Sequence, residues 1–241
     1  MRAALWMCTF SALPAVAIAQ SSVPDSMRAG DRVFGVWAGA SVSSVAVFGR
    51  ITDRRLLLTG LRYERILESS GSAMTAYTFD VHPIAVVTNT PRYAFRTIRA
   101  PNGASLVQMV ETERSSVVGA GFSPLGLQFY STRHGNTRLF GGGSAGGIWF
   151  NRDIPMEGAR RFNFALQLGT GVELTARNGG ALVLGYKFHH LSNAGTARIN
   201  PGMDGHVFYL GLMRRRAGHA ATLAKGADGR ASSTAGGNQR D

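Results

Sequence analysis

The sequence predicts an all-β fold, an eight-stranded antiparallel transmembrane β-barrel of the bacterial outer membrane, and three observations carry that prediction. Apolar and polar residues alternate with a period of two in eight stretches, the connections between them alternate between short and long, and the chain opens on a secretory leader. A period of two is the strand period, because successive side chains point to opposite faces. Tight turns at one end and long loops at the other are what a membrane barrel shows. After the leader no stretch is apolar for the length of a membrane helix. Any crossing is therefore made by strands, which must close on themselves to leave no unpaired edge in hydrocarbon.

The leader is read at residues 1–19, with a positive start at Arg2, an apolar run from Ala3 to Ile18, and the small-residue site Ala17-Ile18-Ala19 ahead of Gln20. Cys8, the single cysteine, lies inside it, so neither disulfide nor thiolate chemistry is expected of the mature chain. Residues 20–31 lead into strands expected at about 32–40, 55–67, 74–88, 117–131, 138–150, 161–174, 180–190 and 204–213. The run from Phe162 to Leu174 is the clearest: its even positions are mostly large and apolar, and its odd positions include Asn163, Gln167 and Glu173. With Arg62 and Glu64 on another strand, these polar side chains describe the lumen of a small barrel rather than the surface of a soluble one. Tyr63, Tyr77, Phe79, Trp149, Phe150, Phe162, Tyr186, Phe188 and Tyr209 fall near strand ends, as interfacial girdles do.

Tight turns are expected at Ser69-Ser70-Gly71-Ser72, Arg133-His134-Gly135-Asn136 and Arg177-Asn178-Gly179-Gly180, the last carrying the Asn-Gly of a hairpin. The other connections are longer, and Asn89 to Ser116 reads as the longest loop. The barrel is expected over 32–213, and residues 214–241, rich in Arg, Ala, Gly and Ser, read as a disordered basic tail.

A formal charge of +12, mostly arginine, calls for an anionic partner or simply solvates loops. Nucleic acid is not expected, since there is no aromatic-interleaved basic stripe, helix-turn-helix or zinc pattern. Anionic outer-membrane lipids and phosphorylated glycolipids suit arginine through bidentate contacts. The six histidines show no zinc-like spacing, so no metal is expected. Gly141-Gly142-Gly143-Ser144-Ala145-Gly146 satisfies both the dinucleotide fingerprint and the nucleophile elbow. Both need a helix next, and Gly147-Ile148-Trp149-Phe150 continues a strand instead. Glycines here serve bending and close strand approach.

The chemistry concentrates at Phe188-His189-His190-Leu191-Ser192-Asn193-Ala194 and Asn200-Pro201-Gly202-Met203-Asp204. Along its strand His190 shares a face with Leu182, Leu184, Tyr186 and Phe188, and Ser192 continues that parity. On the returning strand Asp204 and His206 share parity with Phe208, Leu210 and Leu212. A histidine, a serine and a carboxylate then meet on the outer wall of the barrel, where an ionisable group is costly and marks a functional site, or where a wet rim merely caps the strands.

His190-Leu191-Ser192-Asn193-Ala194 followed by Asn-Pro-Gly-x-acid resembles the C-terminal motif of the PagL-type lipid A 3-O-deacylases, outer-membrane acyl hydrolases built on an eight-stranded barrel. The resemblance is loose from Arg32 to Met213 and sharp over 189–204. It implies His190 as base, Ser192 as nucleophile, Asp204 as the acid orienting the imidazole, and Asn193 in the oxyanion hole. In that pattern the acid is a glutamate. Asp204 is one methylene shorter, so its contact with the imidazole needs a closer backbone.

The resemblance thus implies a cofactor-free esterase that removes a 3-hydroxyacyl chain from lipid A, the membrane anchor of lipopolysaccharide, with its site facing the outer leaflet. Arg92, Arg96, Arg99, Arg152, Arg160 and Arg198 are candidates for lipid A phosphates and core sugars. A homodimer stays open. Two other readings also stay open: a non-catalytic outer-membrane barrel with a structural, adhesion or ligand-binding role, and a secreted soluble barrel that holds a lipid in its lumen.

Overall fold

The structure, a computed structural model, describes residues 27–41, 46–70, 72–176 and 178–216. The leader, the first part of the lead-in and the tail from residue 217 onward lie outside the described residues. Eight strands follow in order: β1 (Arg32–Ser41), β2 (Leu56–Ser69), β3 (Ala73–Arg99), β4 (Ser105–Ser131), β5 (Thr137–Ile154), β6 (Arg160–Thr175), β7 (Gly180–Ser192) and β8 (Met203–Arg216). Each pairs antiparallel with the next and β8 closes on β1, so the sheet has no free edge within the barrel. β8 continues three residues past the expected end of the barrel, to Arg216.

The period of two sorts side chains as the sequence predicts. Asn163, Gln167, Glu173, Arg62 and Glu64 are buried in the lumen, while Leu166, Leu168, Leu184, Leu210 and Leu212 are exposed outside. Inside, Arg62 grips both oxygens of Asp80 (Nε to Oδ1 2.9 Å, Nη2 to Oδ2 2.7 Å) and donates to Gln128 (3.0 Å). Trp37 Nε1 donates to Asp80 (3.0 Å), Tyr130 to Glu64 (2.6 Å) and Lys187 to Gln167 (3.3 Å). A charge in a closed interior needs such partners. The space left among them is about 20 Å³, room for about one water, so the lumen is a packed core rather than a channel.

Two expectations need correction. The stretch from Asn89 to Ser116 is a β-ribbon in which β3 and β4 run on past the barrel and pair from Thr90↔Ser115 to Arg99↔Ser105. Asn89, in the left-handed region (φ 59°), absorbs the register shift between Val87 and Thr90, so a residue pattern that reads as a turn acts as a bulge. Two of the expected girdle aromatics are also inside: Phe150 is fully buried, and Tyr209 packs against Trp37 in the lumen with a ring separation of 5.4 Å.

β5 runs unbroken through Gly141–Gly146, so neither glycine motif has its helix. A Cβ on Gly142 or Gly146 would collide with the carbonyl oxygens of Leu127 and Phe122 on β4, which is the close strand approach that calls for glycine there. The connections of β1–β2, β3–β4, β5–β6 and β7–β8 gather at one end of the barrel, called here the loop end.

Candidate active site

β7 brings His190 to the loop end directly opposite Asp204 of β8 in the antiparallel register. Cross-strand partners have Cα atoms only about 4.5–5.5 Å apart, which is the close backbone a short acid needs. Their side chains meet outside the wall, with His190 Nδ1 2.6 Å from Asp204 Oδ1. An ionised carboxylate can only accept, so Nδ1 carries a proton, and in the neutral ring it is Nε2 that has the lone pair. The imidazole is 20% exposed, while the carboxylate is fully covered.

The cover is the segment between β1 and β2. Its main-chain N–H groups at Val47, Phe48 and Gly49 all donate to Asp204 Oδ2, at 2.6, 2.7 and 2.9 Å. Successive amides converging on one oxygen form an anion nest. Three amides thus hold one carboxylate and fix the direction of the fourth donor, the imidazole ring. Gly49 permits this close seat: a Cβ there would stand 2.8 Å from Met203 Cα and N. Arg50 N–H donates to Pro201 O (2.8 Å), and Ile51 bridges to Met203 in parallel, which closes the segment down on the start of β8. Gly202, in the left-handed region (φ 65°), lies under the imidazole, where a Cβ would come within 3.1 Å of His190 Cε1. Phe48 stands edge-on to His190 (5.9 Å) and Phe188 (5.8 Å) and is itself 68% exposed.

Ser192 follows on the same face as His190, two residues along, a spacing of about 7 Å on a strand. Its hydroxyl donates to Asn200 Oδ1 (3.3 Å) and accepts from Ala194 N–H (3.0 Å). Among the described residues no hydrogen bond joins it to His190. The turn after it is built from its own side chains. Asn193 Oδ1 accepts from Gly195 N–H (3.0 Å), Asn193 O accepts from Thr196 Oγ1 (2.8 Å), and Ala194 (φ 52°) and Gly195 (φ 77°) reverse the chain through the left-handed region. Ala194 pays about 1 kcal/mol for that conformation, a strain placed two residues from the serine. Asn193 is buried and donates one of its two amide N–H groups to Ile199 O (2.8 Å).

The structure therefore brings His190 and Asp204 into contact and puts Ser192 and Asn193 in the adjoining turn. Arg198 is exposed in the same loop. The loop arginines separate: Arg160 is held by Thr196 O (2.8 Å), Arg92 by Glu113 (2.9 Å) and Arg152 by Ser115 (2.6 Å), whereas Arg96 and Arg99 lie out on the ribbon. The 47–49 amides and the bond from Ser192 to Asn200 are the parts that sequence reasoning misses. Gly49, closing the apolar run Val45-Ala46-Val47-Phe48 in an otherwise polar connection, is the one signal that pointed to the first. For Asn200 the signal was its place at the head of the Asn-Pro-Gly-x-acid run.

A wall-mounted dyad on an eight-stranded barrel is the context in which comparison with known proteins becomes informative. The family model described as "Lipid A 3-O-deacylase (PagL)" matches residues 70–213, more than half the chain, and this span holds His190, Ser192 and Asp204. The chain belongs to the PagL family. Among solved structures it resembles the outer membrane enzyme PagL, with 14% identity over 75% of this chain and 97% of that one and a TM-score of 0.50. It also resembles Neisserial surface protein A (12% identity, 77% and 96% covered, TM-score 0.42) and Ail, the attachment invasion locus protein of Yersinia pestis (13%, 79% and 100%, 0.42). No curated protein matches the chain. Membership of the PagL family, together with the closed barrel, puts the chain in the outer membrane and makes it a lipid A deacylase at the level of the family.

Proposed function

We propose that this PagL-family barrel is a serine esterase that hydrolyses the 3-O-linked hydroxyacyl chain of lipid A, with its site facing the outer leaflet. The observation that carries the proposal is the His190–Asp204 contact of 2.6 Å on the lipid-facing wall, with Ser192 on the same face of β7. Ser192 leaves Asn200 by rotation about χ1 and gives its proton to His190 Nε2 as its oxygen attacks the ester carbonyl. Asp204, held by the 47–49 amides, keeps the imidazole in the required tautomer and stabilises the imidazolium. The tetrahedral intermediate collapses as the imidazolium returns its proton to the departing glucosamine 3-oxygen. Water, deprotonated by His190 in turn, then releases the 3-hydroxy fatty acid and restores Ser192.

The developing oxyanion needs donors beside the serine. Asn193 has an amide N–H beyond the one given to Ile199, whereas Asn200 turns its carbonyl oxygen, an acceptor, toward Ser192 and the Asn193 main-chain N–H. An apolar surface adjoins the site: Phe164 lies opposite Ser192, Leu166 opposite His190 and Leu168 opposite Phe188, all three exposed. An acyl chain resting there needs no transfer out of the leaflet, so proximity supplies much of the rate. Arg198, exposed in the loop after the serine, is the candidate for a lipid A phosphate, which a guanidinium can pair bidentately.

Mass spectrometry of lipid A from cells producing wild type or Ser192→Ala tests this. Loss of one hydroxyacyl chain with wild type and none with the variant is expected. Intact lipid A beside a folded wild-type barrel contradicts it and favours the non-catalytic reading.

A further inference from the structure

The loop end also carries a concave feature. A cavity of about 600 Å³ opens between the β3–β4 ribbon and the β5–β6 connection, within the range of roughly 300–1,000 Å³ usual for ligand pockets. We propose that it is a saccharide-binding site that takes sugar residues carried by the substrate's headgroup, a proposal that rests on the deacylase reading above.

The composition of the lining argues for sugar rather than bare phosphate. Three guanidinium groups, on Arg92, Arg152 and Arg161, are matched by three carboxylates, on Glu113, Asp153 and Glu157. A surface so balanced offers no net field to concentrate a free anion. It does offer acceptors and paired N–H donors side by side, which is what adjacent sugar hydroxyls, each donor and acceptor at once, can satisfy. Much of this set is fixed in advance. Arg92 is ion-paired to Glu113 (2.9 Å), Arg152 is bonded to Ser115 (2.6 Å), and Glu157 accepts from Tyr93 N–H (3.1 Å), so the ribbon and the connection are tied across the cavity. Arg161, by contrast, is exposed and has no hydrogen-bond or ion-pair partner among the described residues. The half-buried Tyr93 adds an aromatic ring to the lining, a surface for the apolar face of a pyranose.

The cavity is also joined to the site. Between the lining residues Glu157 and Arg161 stands Arg160, whose Nε and Nη2 donate to Thr196 O at 3.2 and 2.8 Å. A Cβ on Gly158 would meet Ile199 at 3.0 Å. Ile199 in turn accepts from Asn193 and precedes Asn200, which holds Ser192. A glycolipid with its ester at Ser192 would have its acyl chains along β6 and its sugars directed toward this cavity.

The test uses the folded barrel in detergent, with heat-modifiable gel migration as the folding check. Binding of delipidated oligosaccharide, released from lipopolysaccharide by mild acid, is measured calorimetrically on the Ser192→Ala protein and on the same protein carrying Arg161→Ala or Asp153→Asn. Saturable binding weakened about tenfold by each second substitution, and not displaced by inorganic phosphate at equal concentration, is expected. Equal affinity in all three, no binding, or displacement by phosphate as effective as by oligosaccharide overturns the saccharide assignment. In wild type, kcat/KM for lipopolysaccharide over sugar-free lipid A should exceed the same ratio in Arg161→Ala by about fivefold; equal ratios overturn the assignment. If the oligosaccharide binds but wild type leaves lipid A intact, the deacylase reading falls and the cavity stands. If lipid A is cut while all variants bind alike, the reverse holds.

Discussion

Two polar clusters share this barrel, one in the lumen and one on the wall, and they are built on opposite plans. In the lumen, side chains saturate side chains: Asp80 takes both nitrogens of its salt bridge from Arg62 and a third bond from Trp37, and all three residues are buried. On the wall, main chain saturates side chain: Asp204 takes three amides from one short segment and leaves its other oxygen for an imidazole that stays partly open. The lumen holds far more charge, yet nothing there can reach a substrate. Function follows from where valence is left open at an accessible surface, not from where polar residues are densest.

The contrast can be broken from either side. On the wall, Ser192→Ala and His190→Asn should each lower lipid A deacylation by about 10⁴-fold with the barrel still folded, as expected when a nucleophile or its base is removed. Asp204→Ala should cost less, about 10²-fold to 10³-fold, because the ring loses its orientation but keeps its basic nitrogen. A fully active Asp204→Ala protein would show that another group orients His190. In the lumen, Asp80→Ala should destabilise the barrel by about 3–5 kcal/mol, the usual cost of leaving a buried guanidinium without its partner, read from urea unfolding. Its activity per folded molecule should stay at the wild-type level. Loss of activity without loss of stability would join the two clusters that the structure keeps apart.

The smallest effects sharpen the role of the main chain. Gly49→Ala would push the 47–49 segment off Met203 and should lower kcat by about tenfold without changing stability in urea. Asp204→Glu should also be about tenfold slower, although glutamate is the acid of the family pattern. In this chain the nest and the direct His190↔Asp204 pairing are set for the shorter side chain. An Asp204→Glu protein as active as wild type would mean that the nest does not fix the acid.

The barrel was legible because a period of two survives in every strand, and because a small closed barrel must alternate apolar-out and polar-in. Parity alone put His190, Ser192 and Asp204 on one outer face, since a strand has only two faces to choose between. The ribbon was hidden because Asn89 and Pro91 have the chemistry of a turn, while the chain spends them on a bulge and then resumes pairing. Phe150 and Tyr209 were misplaced because an aromatic near a strand end looks alike from either side of the wall. The amides over Asp204 were out of reach for a different reason: any residue but proline supplies an N–H, so a main-chain nest leaves no side-chain signature beyond the glycine that lets it close.

The central claim is that the wall cluster performs acyl transfer on lipid A. Mass spectrometry of lipid A exposed to the folded wild-type barrel and to Ser192→Ala tests it most directly. A product lighter by one 3-hydroxyacyl chain with wild type, and unchanged lipid A with the variant, is the predicted result. Unchanged lipid A with both, or the same loss with both, would contradict it.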